Sequence, residues 1–342
     1  MGASGGMNMA TQSLVDIIIV NFNGGEFIEE CIEAVKNQTL TAFHVYLVDN
    51  NSTDGSAKLL ISDDDRFSVI HNQKNVGFAA ACNQAAALSN APWIAMLNPD
   101  TVPESNWLEK ALHCGEINNA EMVGCTQLSK LNPAVLDGIG DAYSPFGLAW
   151  RGGFGWSVDK APTNDGYVFG PCAAAALYRR NTYIDAGGFD ERFFCYVEDV
   201  DLAFRLRLFG AVCVHCSQAV VFHVGSGITG RTSDFTIYHG TRNRVWTWFK
   251  NAPLLMLWLA TPFVAITNFA FLFRSLFHGK FKCTARALGD ALHGLPGVIQ
   301  SRGQIQKKRT INSLGISQAM TWSPVKLLTR APDIRPIRRE GL

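Results

Sequence analysis

Asn98-Pro99-Asp100 closes the apolar run Trp93–Leu97. A carboxylate in that position can hold a divalent cation bridging two phosphates. Hard cations want oxygen ligands, and magnesium takes only one or two protein carboxylates beside phosphate and water. As a Lewis acid, such a cation stabilises a departing nucleoside diphosphate. Glu198-Asp199-Val200-Asp201 opens a helical stretch that runs on through Arg205 and Arg207. Acids favour the positive end of a helix, which puts Glu198 and Asp199 in an exposed first turn. Three carboxylates so close repel one another, which raises at least one pKa and suits a general base. His223 ends the run Ala219–Phe222 and can complete a metal site. Asp49 follows the run Phe43–Val48 and can accept a hydrogen bond from the imide N–H of uracil or thymine. Its continuation, Asn50-Asn51-Ser52-Thr53-Asp54-Gly55, equally reads as an Asx turn with a helix cap. Taken singly, Asn98–Asp100 is also a plain turn, and Glu198–Asp201 a helix start decorated with acids.

These residues need elements to position them. Val15–Val20 is a continuous β-branched run and reads as a buried parallel strand. Glu26–Asn37 has helical spacing, and Phe43–Val48 is a second strand. Thr53–Ile61 reads as a short helix, Phe67–His71 as a strand, Gly77–Ser89 as a helix and Trp93–Leu97 as a strand. This alternation predicts a parallel sheet covered on both faces. Ligands bind such sheets beyond the carboxyl ends of the strands. That rule singles out Asn21–Asn23, Asp49–Asp54, Asn72–Asn75 and Asn98–Asp100. Val123–Leu128 continues the pattern, whereas residues 129–168 read as a long loop region. Order returns with Gly170–Arg180, a helix at Val200–Phe209, and strand-like runs at Ala211–Val214 and Ala219–Phe222.

The 342 residues are 47% apolar, enough for a sizeable core. A net charge of +1 hides an acidic body and a basic tail. Residues 274–342 carry 13 Lys/Arg against 3 Asp/Glu. The tail is therefore expected to meet something anionic, a membrane surface or nucleic acid. Residues 251–273 carry no formal charge between Lys250 and Arg274, and are long enough to span a bilayer. Spanning, lying in the membrane interface and packing in the core are the three readings, and the adjacent basic tail favours the interface. The nine cysteines are scattered through apolar runs, which fits reduced, buried thiols better than a disulfide framework. Cys213-Val-His-Cys216 has no second pair at zinc-finger distance, so zinc or redox use of that pair is not expected. Residues 1–13 read as a disordered leader without secretory features.

The order of these stretches is more specific than any one of them. IIIVNFNGGEFIEECI, VYLVDNNSTDGS, NVGFAAACNQA, MLNPDTVPESNWL, GPCAAAALYRR, GGFDERFFCYVEDVDLAFRLRLFG, VVFHVGSG and YHGTRNRVW together resemble a family 2 glycosyltransferase, in its bacterial rhamnosyltransferase-like branch. The resemblance covers about residues 15–250. It implies an α/β GT-A fold: a Rossmann-like, mostly parallel sheet with helices on both faces. Residues 14–128 are then the nucleotide-binding half and 129–250 the acceptor and catalytic half. Residues 251–342 form a helical, basic, membrane-associating region. Asn21, Phe22, Asn23 and Asn51 are implied to line the nucleotide pocket, with Asp49 reading the base. Asn75 and Asn83 match positions near ribose and diphosphate. Asn98 stands where the family's metal motif usually has its first acid, leaving Asp100 as the firm carboxylate ligand, with His223 beside it, for Mg2+ or Mn2+. Asp199 matches the catalytic base and Glu198 its acidic neighbour. Arg242 and Asn243 match a motif near the donor phosphates or the acceptor.

The activity implied is inverting transfer of a sugar, rhamnose from dTDP-rhamnose, to a glycan or lipid-linked acceptor in cell-surface polysaccharide or lipopolysaccharide synthesis. The chain is then expected at the cytoplasmic face of the cell membrane, with no nucleic-acid partner. A catalytically inactive scaffold of the same fold and a sugar nucleotidyltransferase are the competing readings. A dinucleotide-dependent dehydrogenase is excluded, because the turn after the first strand reads Asn-Phe-Asn-Gly-Gly-Glu rather than Gly-x-Gly-x-x-Gly.

Overall fold

The computed structural model describes residues 13–60, 63–225, 230 and 232–337. The leader 1–13 therefore lies almost wholly outside the described residues. Strand β1 (Val15–Asn21) is buried along its whole length, as its unbroken apolar run requires. It lies between β2 (Phe43–Asp49) and β4 (Trp93–Leu97), and β3 (Phe67–His71) flanks β2, all parallel. Helix α1 (Phe27–Lys36) buries Ile28, Cys31, Ile32 and Val35, one face at helical spacing. Helix α2 (Phe78–Leu88) packs a small-residue face of Ala79, Cys82, Ala85 and Ala86 on the other side of the sheet. The two buried clusters, around Ile17, Ile19 and Leu97 on one face and Ile18, Met96 and Tyr178 on the other, make a layer of helix on each side. The helix expected at Thr53–Ile61 is a shorter 3₁₀ turn, Ser56–Leu60, with Ile61 outside the described residues.

The second half of the sheet is mixed. β5 (Thr101–Pro103) and α3 (Trp107–Ile117) lead to β6 (Met122–Ser129). Residues 129–168 are not the plain loop that their Gly and Pro content suggests. They hold β7 (Leu136–Gly138), the hairpin of β8 (Asp141–Tyr143) and β9 (Ala149–Arg151), and β10 (Gly166–Tyr167). β11 (Ala175–Arg179) inserts antiparallel between β4 and β6. After α4 (Arg180–Asp185) and α5 (Glu198–Leu208), β12 (Cys213–His223) runs parallel to β6. The two strand-like runs expected at 211–214 and 219–222 are one strand, broken in register between Cys216 and Val220 by a bulge.

The chain then becomes helical: α6 (Asp234–Asn251), α7 (Leu254–Leu276), α8 (Phe281–His293), α9 (Leu295–Lys308), α10 (Ser313–Ala319) and α11 (Pro324–Thr329). A last two-residue strand, β13 (Arg335–Pro336), returns to the sheet beside β10. Helix α6 docks on the body through a buried ionic knot. Lys250 Nζ lies 2.6 Å from Asp190 and 2.8 Å from Asp201, and Asp201 also pairs with Arg205 at 3.0 Å. Helix α7 is different. Only Met256, Val264 and Ser275 are buried along its 23 residues, which overturns the core reading of this segment.

Candidate active site

The ends of β1, β4 and β12 and the start of α5 surround a cavity of about 440 Å³. This is where a doubly wound sheet presents ligands. Phe22 borders it from the turn after β1, Asn98 and Asp100 from the turn after β4, and His223 from the end of β12. His223 is buried between two carboxylates. Its Nδ1 is 2.7 Å from Asp137 Oδ2, and its Nε2 is 3.3 Å from Asp100 Oδ1. Arg151 completes the chain by pairing with Asp137. Burial alone would lower the His223 pKa, but the Asp100 and Asp137 carboxylates outweigh it and the pKa is raised.

This arrangement fits a divalent cation. Nε2 approaches Asp100 without the alignment of a hydrogen bond and has no such partner among the described residues. With Nδ1–H donated to Asp137, the Nε2 lone pair of a neutral imidazole faces a carboxylate oxygen. That contact is repulsive unless a proton or a cation lies between the two. Ligands at about 2.1 Å from a metal in adjacent positions stand about 3 Å apart, close to the observed separation. Asp137 holds the His223 ring, as an outer carboxylate would if His223 were to ligate a metal.

On the other wall, Asp199 sits in the first turn of α5. Its Oδ2 accepts a hydrogen bond from the Ala173 N–H at 3.1 Å and its Oδ1 one from the Val200 N–H at 2.8 Å. Burial raises its pKa; these bonds and the charge of Arg151 pull the other way, and the net shift is upward. Glu198 is buried rather than exposed, close to Cys82 of α2 and Cys195 of the loop that enters α5. Burial first, and the Asp199 charge second, hold its carboxyl well above the usual range. Desolvation, not mutual repulsion, is thus the main cause of the perturbed acids. Asp201 is tied into the ionic knot and does not border the cavity. Asp141, from the β8–β9 hairpin, does. Burial and the nearby Asp199 push its carboxyl up to about 8.

The segment entering α5 is strained. Phe194, Tyr196 and Val197 have φ of 65°, 68° and 70°, a conformation that side-chain-bearing residues rarely adopt. Asn243 on α6 holds it in place. The Asn243 Nδ2 group donates to the carbonyls of Phe193, Cys195 and Tyr196 at 2.9, 3.0 and 2.8 Å. Arg242 adds bonds to the carbonyls of Arg192 and Phe193 and stacks its guanidinium 4.4 Å from the Trp246 ring centre. From the other side Gly77, at φ 89°, lies against Phe194, where a Cβ would come within 2.6 Å of the ring. Any larger residue at Gly77 would displace that loop.

The model for glycosyl transferase family 2 matches residues 16–184 of the chain. The chain carries a glycosyltransferase family 2 domain. It is similar to an N-acetylglucosaminyl-diphospho-decaprenol L-rhamnosyltransferase of Mycobacterium tuberculosis, at 24% identity over 64% of this chain and 78% of the relative. Among solved structures it resembles the mannosyltransferase PcManGT from Pyrobaculum calidifontis in complex with GDP-Man and Mn2+. That match has a TM-score of 0.52 at 16% identity, over 89% of this chain and 88% of the other. It also resembles GalNAc-T7 with UDP, GalNAc and Mn2+, at a TM-score of 0.56 and 12% identity over 70% of this chain and 48% of that one. These likenesses establish the GT-A fold.

Within this glycosyltransferase the cavity brings together Phe22, Asn75, Asn98, Asp100, Glu198, Asp199 and His223. Other residues expected in the site lie off the cavity wall. Asn21 is fully buried and its amide bonds Asp49, Ser52 and Ser56. Asn23 fixes the turn at Thr53 through its side-chain oxygen at 2.8 Å, and Asn51 takes up a left-handed turn at φ 67°. Asp49 is buried, with Oδ2 3.3 Å from the Ser52 N–H, so the Asx-turn reading is realised here. Asn83 is turned to the scaffold, bonding the Phe189 backbone and the Tyr183 hydroxyl. Arg242 and Asn243 face the α5 entry loop rather than the cavity, for the reason given above. The sequence reading missed Asp137, Asp141 and Arg151. They stand in a Gly- and aromatic-rich region with no periodicity, so nothing local marked them.

Proposed function

We propose that this enzyme transfers a sugar from a nucleoside diphosphate donor to a hydroxyl acceptor in one inverting displacement, with Asp199 as base. The observation that carries this reading is one cavity walled by a raised-pKa carboxylate, Asp199, and by the Asp100–His223 pair. Asp100 and His223 are the residues to hold Mg2+ or Mn2+, which supplies charge stabilisation for the leaving diphosphate. Asp199 accepts the acceptor's hydroxyl proton, and its raised pKa makes it the stronger base. The Ala173 and Val200 N–H groups fix the carboxylate so that it needs no reorientation. Phe22 offers an exposed ring face beside the strand ends for the nucleotide. Val20, Cys172 and Ala174 give the cavity an apolar part of its wall.

L-Rhamnose is the proposed sugar and a polyprenyl-diphosphate-linked glycan the proposed acceptor, both by likeness to the mycobacterial relative. The exposed apolar helix α7 supports a lipid-linked acceptor reached at a cytoplasmic membrane surface. The proposed catalytic unit is residues 14–250, with residues 251–342 as its membrane-associating part. The test is transfer by purified protein from a panel of nucleotide sugars, with and without Mn2+, beside calorimetric donor binding. Asp199→Asn is expected to lower kcat by about 10²–10⁴-fold while donor binding stays intact. Wild-type turnover in a folded, donor-binding Asp199→Asn protein would remove the base assignment. Asp100→Ala is expected to lose metal-dependent donor binding. If binding is unchanged by Mn2+ in both proteins, the metal assignment fails.

A further inference from the structure

Cys216 was noted in the sequence for its spacing to Cys213, but the strand separates that pair. Three residues apart on β12, they point to opposite faces, Cys213 into the α2 and α5 side and Cys216 into the α1 and α3 side. What Cys216 meets instead is Cys114 of α3 and Asp165 of the turn before β10. One ligand atom from each of the three lies within 4.8 Å of the other two. Cys114 Sγ is 3.4 Å from Asp165 Oδ2. The other oxygen, Oδ1, accepts bonds from the Ser217 N–H at 2.7 Å and the Ser217 hydroxyl at 2.8 Å. Ser217 is in the bulge of β12, so the irregularity that breaks the ladder is what orients this carboxylate.

We infer that Cys114, Cys216 and Asp165 form a binding site for a soft divalent cation of the zinc type, separate from the sugar-transfer cavity. Two thiolates select zinc-like ions over Mg2+ and Mn2+. In a tetrahedral zinc site, ligands at about 2.0–2.3 Å stand about 3.4–3.8 Å apart, so the observed spacing closes on an ion with small side-chain shifts. The held orientation of Asp165 is the outer support that metal carboxylates need. A hydrogen bond from Cys114 lowers the Cys216 pKa, while Cys114 itself is raised. Asp165 borders a surface depression of about 750 Å³ with Pro162, Thr163 and Asn164, so one of the three ligands is reached from solvent. On binding, both thiols release their protons to solvent and two thiolates and one carboxylate meet the 2+ charge. The ion would pin α3, β12 and the 161–165 turn together. Across the bulge, Cys216 and His223 pair with Cys125 and Ser129 of β6, four residues or about 13 Å apart, so the bound ion takes no direct part in sugar transfer.

The test is Co2+ and Zn2+ binding to the reduced, full chain after chelator treatment. The near-ultraviolet thiolate-to-cobalt charge-transfer band reports sulfur ligation, which Asp100 and His223 do not supply, and the double serine variant assigns it to Cys114 and Cys216 rather than to Cys172 of the sugar-transfer cavity. One equivalent with that band is expected, absent in a Cys114→Ser/Cys216→Ser protein and weakened at least about tenfold in Asp165→Asn. Should the serine protein not fold, thiol alkylation of the wild type decides, with Zn2+ expected to protect Cys114 and Cys216 and no other cysteine. No charge-transfer band with excess Co2+, a band that survives in the folded double variant, or equal alkylation with and without Zn2+ would each overturn the site.

Discussion

Asp141 and Asp199 share one buried cavity, and burial holds both carboxyl groups above their ordinary range. For Asp141 the folded value is about 8, against about 3.9 in an unfolded chain. The folded state therefore binds this proton more tightly than the unfolded state does. Its contribution to stability is complete below about pH 4 and is lost as pH rises through about 8. Asp141→Asn keeps the shape and removes the titration. Urea midpoints measured in chelator from about pH 5 to about pH 8 are expected to fall with pH in the wild type and to fall less steeply in the variant. Equal slopes would place the proton elsewhere. His215, also buried, behaves oppositely: desolvation lowers it to about 4, so its contribution is present above the unfolded value and is lost as pH falls.

The entry loop of α5 is where one element decides the geometry of another. Three residues with positive φ do not hold that conformation by local preference. Asn243, fully buried on α6, donates its amide to three carbonyls of the loop, those of Phe193, Cys195 and Tyr196. At about 1 kcal/mol for each bond, Asn243→Ala is expected to lose about 2–4 kcal/mol of stability. With the loop released, Glu198 and Asp199 lose their fixed approach, so kcat is expected to fall more than donor KM rises. Denaturation and steady-state kinetics check this together. A protein that loses stability but keeps wild-type kcat would make Asn243 a packing residue only. The ionic knot at Asp201 belongs to the same scale. Asp201→Ala leaves Lys250 and Arg205 buried without their shared partner, and about 3–5 kcal/mol of destabilisation is expected in the same denaturation assay.

Over the whole molecule, the acidic catalytic body ends in a surface that water does not favour. Trp258, Leu259, Ile266 and Phe269 of α7 are 65–76% exposed. Contiguous apolar exposure of this kind marks a contact surface. Arg274, Lys282 and Arg286 lie exposed just beyond it, placing positive charge beside the apolar face. We read this as an interfacial attachment, with α7 in the headgroup boundary and the cations on anionic lipid. The full chain is expected to sediment with phosphatidylglycerol vesicles and to release partly at high salt as the charges are screened. Trp258→Ser/Ile266→Ser/Phe269→Ser is expected to weaken binding by about 10²-fold or more, since each side chain contributes roughly 1.5–3 kcal/mol on burial. Unchanged sedimentation of that variant would discard the surface.

The elements of the first half were legible in the sequence because their apolar pattern is local. β1, α1, β2, β3, α2 and β4 each carry their period in a few consecutive residues, and the rule about strand ends then pointed to Asn98–Asp100 without any coordinates. Asp199 and His223 were likewise marked by what stands beside them in the chain. Four things depended on the tertiary structure. Asp141 and Arg151 join the cavity, and Asp137 reaches His223 behind it, only because the β8–β9 hairpin and β7 fold over the site, a non-local pairing that leaves no periodic trace. Glu198 is buried, not exposed, because α6 and the strained loop close over the start of α5. Asn243 and Arg242 serve the backbone of that loop, since a side chain's partner is set by which element packs against it. Cys216 meets Cys114 rather than Cys213, because a strand alternates its faces while the sheet brings a helix from elsewhere to each one. Sequence spacing fixes neighbours along an element, and packing alone chooses neighbours across it.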